Sequence, residues 1–219
     1  MAPPRSPKDT FITVYGRMPV LEALDDTALR VDKVILAENL RGEPVRAILS
    51  AARARGVRVE RASAHRVKVL AGNGRHDQGV LADVVAPRME PVEEFLGRIG
   101  DGPARVLVLD RLTNPANVGM ILRSATAAGL DDVLLPRRGL PAIDPLVVKA
   151  SAGVAFRAPV LRAATVEEGC AALAEAGFAV YGLDAGGSSL LTAELPPRVA
   201  LVLGNETNGL STSVRPLLD

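Results

Sequence analysis

Leu201-Val202-Leu203-Gly204-Asn205-Glu206-Thr207-Asn208-Gly209-Leu210 decides the fold class of this 219-residue chain. An apolar run of strand length stops abruptly at Gly204 and gives way to Asn, Glu and a second Gly. Apolar strands without alternation belong to parallel sheets covered on both faces. In such sheets ligands bind beyond the carboxyl ends of the strands. A Glu at that mouth, between two Gly and two Asn, is more polar than a plain connection needs. Gly204 lets the backbone approach a ligand closely, and a helix is expected to restart near Ser211.

The same pattern extends upstream. Arg105–Asp110 and Asp132–Leu135 read as buried strands, with further strands around Phe156–Leu161, at Ala179–Asp184 and at Val199–Gly204. Helices fall between them at Asn114–Ala128 and from Thr165, where Glu168 completes a capping-box spacing. Strand–helix alternation predicts an α/β domain with a mainly parallel sheet over 105–219. Residues 11–87 form a smaller α/β unit. Its strands are Ile12–Tyr15, Asp32–Ala37, Val57–Glu60 and Gly79–Val85, and its helices run from Gly16 to Leu24, over Glu43–Arg55 and over Ala64–Leu70 behind Ser63. Residues 1–10 read as a flexible tail. Pro87, Pro91, Gly97, Gly100, Gly102 and Pro103 mark residues 88–104 as a linker.

Composition narrows the partners. Apolar residues are 48% and charged residues 23%, an ordinary globular balance that excludes a disordered or collagen-like chain. Aromatics are 3% with no Trp, which argues against a multi-ring base-stacking platform. Net charge is only +1, yet residues 41–75 hold nine basic and two acidic side chains. Such a stretch either attracts a phosphate backbone or forms a solvated Arg-rich face. Arg53 and Arg55 are the candidates for phosphate contact. A single Cys170 excludes an internal disulfide framework and a cysteine zinc site, and reads as a small core residue. No apolar run reaches the ~18 residues of a membrane span and Met1–Lys8 carries no leader pattern, so a cytoplasmic protein without metal or membrane partner is expected.

Two further segments carry chemistry. In Asn114-Pro115-Ala116-Asn117-Val118-Gly119-Met120-Ile121-Leu122-Arg123, Asn114 and Pro115 are ordinary helix-start residues. Asn117, Gly119 and Arg123 are not explained by capping. Gly119 costs about 1 kcal/mol against Ala inside a helix, so a close neighbour is expected there. Arg123 suits a phosphate or a structural carboxylate. Lys149-Ala150-Ser151-Ala152-Gly153 reads alone as a tight turn. Rival motifs fail by spelling. Gly204 and Gly209 have phosphate-loop spacing, but Leu210 stands where Lys is required. No strand leads into G-x-G-x-x-G, no serine elbow is present, and His65 and His76 lie outside the larger domain.

Taken in order, these three segments resemble the SpoU/TrmH family of RNA 2′-O-ribose methyltransferases in the SPOUT superfamily, nearest the type acting on guanosine of 23S rRNA. The first unit resembles the family's substrate-binding domain, with Val14-Tyr15-Gly16-Arg17 and His76-Asp77-Gln78-Gly79-Val80 matching its two ends. The resemblance implies a small RNA-binding α/β domain and a trefoil-knot α/β domain. It implies S-adenosylmethionine as cofactor, held by Leu183, Leu203, Gly204, Asn205 and Gly209, and a catalytic centre of Asn117, Arg123 and Glu206. It implies RNA contact through Arg17, His76 and Gln78 beside Arg53 and Arg55, and a homodimer. The substrate would be a structured RNA, ribosomal ahead of transfer RNA. A third family motif, an Ile-Pro-Met turn followed by Ser-Leu-Asn, is expected after Asp219. The knot-closing C-terminal segment is thus absent from the sequence as it stands, and a non-catalytic RNA-binding protein keeping the fold is the alternative.

Overall fold

The computed structural model describes residues 6–72 and 77–219. Contacts divide the chain into two compact units, the first running to Pro87 and including Ile143–Pro145, the second covering Arg88–Ala142 and Leu146–Asp219.

In the first unit the elements follow as β1 (Phe11–Tyr15), α1 (Arg17–Asp25), β2 (Val31–Ala37), α2 (Glu43–Ala54), β3 (Arg58–Ala62), α3 (Ala64–Ala71) and β4 (Val80–Val85). The sheet order is β1-β4-β2-β3, antiparallel except for the parallel β2–β3 pair. α2 buries Val45, Ile48 and Ala52, the stripe that its apolar spacing predicts. Ser63 caps α3 by accepting the Arg66 N–H, and Gly72 ends it in the left-handed conformation. The expected tail is shorter than residues 1–10. Pro7–Asp9 form one 3-10 turn and Asp9 is buried, while residues 1–5 lie outside the described residues.

The second unit contains β5 (Met89–Pro91), α4 (Val92–Ile99), β6 (Ala104–Leu109), α5 (Pro115–Ala127), β7 (Asp132–Pro136), α6 (Pro145–Ala150), β8 (Val160–Ala163), α7 (Val166–Glu175), β9 (Ala179–Leu183) and β10 (Arg198–Leu203). Its six strands are all parallel in the order β5-β8-β7-β6-β10-β9. Val106, Val108, Val180, Ala200 and Val202 share a core with Phe95, Leu173 and Phe178. Burial of each such Phe or Leu side chain stabilises the unit by about 1.5–3 kcal/mol. Cys170 lies fully buried in this core, and burial pushes its thiol up to about 12.

Three expectations need correction. Residues 88–104 are no linker: Met89–Pro91 make an edge strand, and α4 buries Val92 and Phe95 in the core. The strand expected at Phe156–Leu161 starts only at Val160, since Val154–Phe156 turn as a 3-10 helix behind left-handed Gly153. After Ser211 the chain makes turns and a short 3-10 helix, Arg215–Leu217, where a full helix was expected.

Candidate active site

The site grows from the carboxyl ends of β6 and β10. Asp110 follows β6 and is fully buried, and its Oδ2 accepts the Ser211 N–H at 2.6 Å. Asn114 then caps α5 by accepting the Ala116 N–H at 2.9 Å, with Pro115 at the first helical position. One turn later Asn117 Nδ2 donates to Glu206 Oε1 at 2.8 Å.

The segment after β10 is a closed loop. Asn205 and Gly209 exchange backbone hydrogen bonds of 2.9 and 3.0 Å. Asn205 Oδ1 accepts the Thr207 and Asn208 N–H groups at 2.9 and 3.0 Å, while its Nδ2 donates to Arg111 O at 2.8 Å and Glu206 Oε2 at 3.2 Å. Glycine is required where this loop crosses itself: a Cβ on Gly204 would stand 2.5 Å from Gly209 O. The Glu206 carboxyl is held below its ordinary range, first by its own backbone N–H, then by the Asn117 amide, with the Thr113 and Asn114 N–H groups adding smaller parts. An ionised carboxylate therefore stands fixed at the mouth of the sheet.

Beside it opens a cleft of ≈ 630 Å³ between α5 and the ends of β6, β9 and β10. Leu183, Leu203, Gly204, Asn205 and Gly209 line it, and Asn117 and Glu206 form its polar end. Met120, Ile121 and Ser124 of α5 add a wall, spaced three, four and seven residues from Asn117 as one helix face requires. That face was not singled out in the sequence, although its spacing makes it readable. Arg123 falls outside it, exposed on α5 and apart from the cleft of its own chain. Gly119 has the close neighbour its cost predicts. A Cβ there would stand 2.5 Å from Val147 O and 2.7 Å from Ala150 Cβ. The Lys149–Gly153 stretch thus serves as the seat of α5 and includes the end of α6, with Ser151 fully buried and its Oγ accepting the Ala155 N–H at 3.1 Å. Arg111, with φ at +55°, and Asp110 are structural members of the site without a motif signal of their own.

In the first unit the basic stretch separates into two kinds of residue. Arg55 donates to the carbonyls of Ala23, Leu24, Asp26 and Leu29 at 2.5–3.2 Å, so its guanidinium closes the end of α1. Arg61 donates to Ala37 O and Leu40 O, while Arg46 and Arg58 pair with Glu43 and Glu60. Arg53, Arg66 and Lys68 are exposed and, among the described residues, their side chains hold no hydrogen-bond or ion-pair partner. Gln78 Oε1 accepts the Arg17 backbone N–H at 3.0 Å, which joins the two ends of the unit's sequence pattern. His76 lies outside the described residues.

Residues 104–219 match the SpoU rRNA Methylase family, and residues 13–90 match the domain described as RNA 2′-O ribose methyltransferase substrate binding. The chain belongs to the SpoU rRNA Methylase family. It is an RNA methyltransferase of the SpoU type with a substrate-binding domain before the methylase domain. It is 32% identical over 209 residues to the 23S rRNA (guanosine-2′-O-)-methyltransferase RlmB of Xanthomonas campestris, a match covering 94% of this chain and 84% of that protein. Among solved structures, the AdoMet-bound rRNA methyltransferase of Sinorhizobium meliloti superposes with a TM-score of 0.58 at 23% identity, covering 96% of this chain and 76% of that one. The AdoMet complex of the SpoU methyltransferase AviRb from Streptomyces viridochromogenes gives 0.57 at 24% identity, covering 95% and 78%. Both share their fold with this chain.

Proposed function

We propose that this SpoU methyltransferase uses S-adenosylmethionine to methylate a ribose 2′-oxygen in structured RNA, ribosomal ahead of transfer RNA, with guanosine as the base. The observation that carries the reading is the 2.8 Å contact from Asn117 to Glu206 at the polar end of an otherwise apolar cleft. S-adenosylmethionine, when bound, supplies a methyl group already activated by its sulfonium. The residues present suit it. Leu183, Leu203, Met120 and Ile121 offer apolar surface to a flat base, Gly204 keeps the backbone bare, and ionised Glu206 favours a positive charge. A cleft of ≈ 630 Å³ also falls among the sizes that small-molecule sites take.

Two tasks remain for the protein: holding the 2′-hydroxyl in line and easing the departure of its proton. Glu206, fixed in one position by Asn117, is an acceptor for that hydroxyl. Arg123 serves as no proton acceptor, because a guanidinium presents five N–H donors and no acceptor. Its role is to clamp the neighbouring phosphate and to stabilise charge that develops on the oxygen. Arg123 stands on the outer side of α5, so this role needs a second surface, which a homodimer supplies by bringing Arg123 of one copy to the cleft of the other. Arg123→Lys, which keeps the charge, then retains partial activity; complete loss with RNA binding intact would count against charge stabilisation.

The deciding experiment follows tritiated methyl from S-adenosylmethionine into ribosomal RNA fragments, with nuclease digestion and mass spectrometry of the product nucleosides. Formation of 2′-O-methylguanosine is expected. RNA binding without methyl transfer would overturn the reading in favour of a non-catalytic RNA-binding protein.

A further inference from the structure

Arg111 leaves the buried strand end at Asp110 with a backbone φ of +55°. A residue with a side chain adopts that left-handed region only at a cost, whereas glycine enters it freely. Strain of this kind clusters at ligand-binding sites. The turn itself needs only backbone: Arg111 O accepts Asn205 Nδ2 at 2.8 Å, a bond that glycine would provide equally. The arginine side chain is thus kept where the fold would favour its absence. Its stem lies over Gly139, where a Cβ would stand 3.4 Å from Arg111 Cγ. Arg137 and Arg138 lead into Gly139 and are exposed. Their backbone N–H groups donate to Ala163 O and Ala164 O at 2.9 and 3.2 Å, which fixes this turn beside the end of β8. Three arginines therefore share the carboxyl edge of the sheet. The Arg111 side chain is 53% exposed, and its Nε stands 3.7 Å from Asp110 Oδ1, near enough for attraction and too far for a hydrogen bond. Among the described residues its guanidinium makes no hydrogen bond. Arg111 lies outside the lining of the cofactor-sized cleft, while its carbonyl holds Asn205, the neighbour of Glu206.

We propose that Arg111 holds a phosphate of the substrate RNA beside the ribose presented to Glu206, with Arg137 and Arg138 extending the contact along the same strand. This rests on the RNA-methylating reading of the cleft and gives the strand an anchor on the same copy, apart from Arg123. A planar guanidinium with five donors matches two phosphate oxygens at once. Contacts of this kind fix the position of a strand without reading its bases. Asp110 and Glu167, at the start of α7, are the anionic groups on which Arg111 acts within the fold. Neutralising them is the competing duty, and it would show itself in stability.

The test compares the full natural chain with Arg111→Gly and Arg111→Lys, each titrated with a ribosomal RNA hairpin by filter binding at several potassium chloride concentrations. Thermal unfolding and calorimetry with S-adenosylmethionine run beside it. Arg111→Gly should weaken RNA binding by about tenfold, the loss of one charge-assisted contact, and lower the salt slope by about one. Its melting temperature should hold or rise, because the strain is relieved, and cofactor affinity should be unchanged. Arg111→Lys should keep the salt slope and part of the affinity. In methyl transfer the loss should appear in KM for RNA, with kcat nearly kept. RNA binding is read without turnover, so a chain that binds RNA and transfers no methyl refutes the proposed function and leaves this comparison intact. Equal RNA binding by Arg111→Gly overturns the proposal. So does a lower melting temperature with the salt slope unchanged, which assigns Arg111 to Asp110 and Glu167, or weaker cofactor binding, which assigns it to the cofactor's carboxylate. No RNA binding by the natural chain overturns both readings.

Discussion

Asp110, at the end of the central strand β6, accepts the backbone N–H of Ser211 at 2.6 Å across 101 residues of sequence. Both residues are fully buried, so this bond closes the loop from Gly204 to Leu210 against the sheet. Replacing Asp110 by Ala leaves the Ser211 N–H buried without an acceptor and opens a small cavity. A loss of about 2–4 kcal/mol in urea unfolding is expected, with weakened S-adenosylmethionine binding. Asp110→Asn keeps an acceptor oxygen and should recover most of both.

Asn117 and Glu206 act as a pair. Asn117→Ala frees the carboxylate to rotate and removes one of the contacts that keep it ionised, while the fold is untouched because Glu206 is exposed. Methyl transfer should fall by about 10²–10³-fold, the usual scale for loss of a positioned polar group in a site. RNA binding should hardly change. Glu206→Gln should cost a similar factor, and a double variant no worse than the single ones would show that the two work as a unit.

Arg53 and Arg55 separate binding from stability. Arg53→Glu should weaken RNA binding and reduce its salt dependence, with the melting temperature unchanged. Arg55→Glu withdraws the donor from four carbonyls at the end of α1 and should destabilise the first unit by about 2–4 kcal/mol. Filter binding at two salt concentrations beside thermal unfolding distinguishes the two outcomes.

These contrasts follow the limits of sequence reading. Val and Leu runs, the Asn114 cap and the Thr165 cap, which accepts the Glu168 N–H at 3.2 Å, are local signals and appear in the structure as read. Residues 88–104 misled because Pro91 and Gly100 punctuate the ends of α4, whereas a count of Pro and Gly treats them as its interior. α6 has six residues, too few to show a helical period. Arg55 could not be told from Arg53, since charge counts register a guanidinium in the same way whether it faces solvent or caps carbonyls. Asn117 and Glu206 were legible one by one, but their contact spans 89 residues and depends on the parallel pairing of β6 with β10.

Asp132 makes stability fall as pH rises. Its carboxyl is raised from 3.8 to about 7 in the folded chain, so the folded state holds the proton more tightly over that interval. Stability is therefore full below about pH 4 as far as this group is concerned, and declines towards pH 7. Asp132→Asn should remove that decline and be more stable at pH 8 by about 1–2 kcal/mol, a few degrees in melting temperature. Thermal scans of both chains from pH 5 to pH 8 would show parallel curves if the carboxyl were not responsible.

The seat of α5 on Val147 and Ala150 has no side chain at Gly119 to act as a spacer, so backbone contact alone sets the helix height over the sheet. Asn117 rides two residues before that seat, and Met120 and Ile121 follow it. Amino-acid changes at these cleft-wall positions can reshape the space for a nucleotide without moving Asn117 relative to Glu206. Substrate preference and chemical competence are thereby free to evolve at different rates along a single turn of helix.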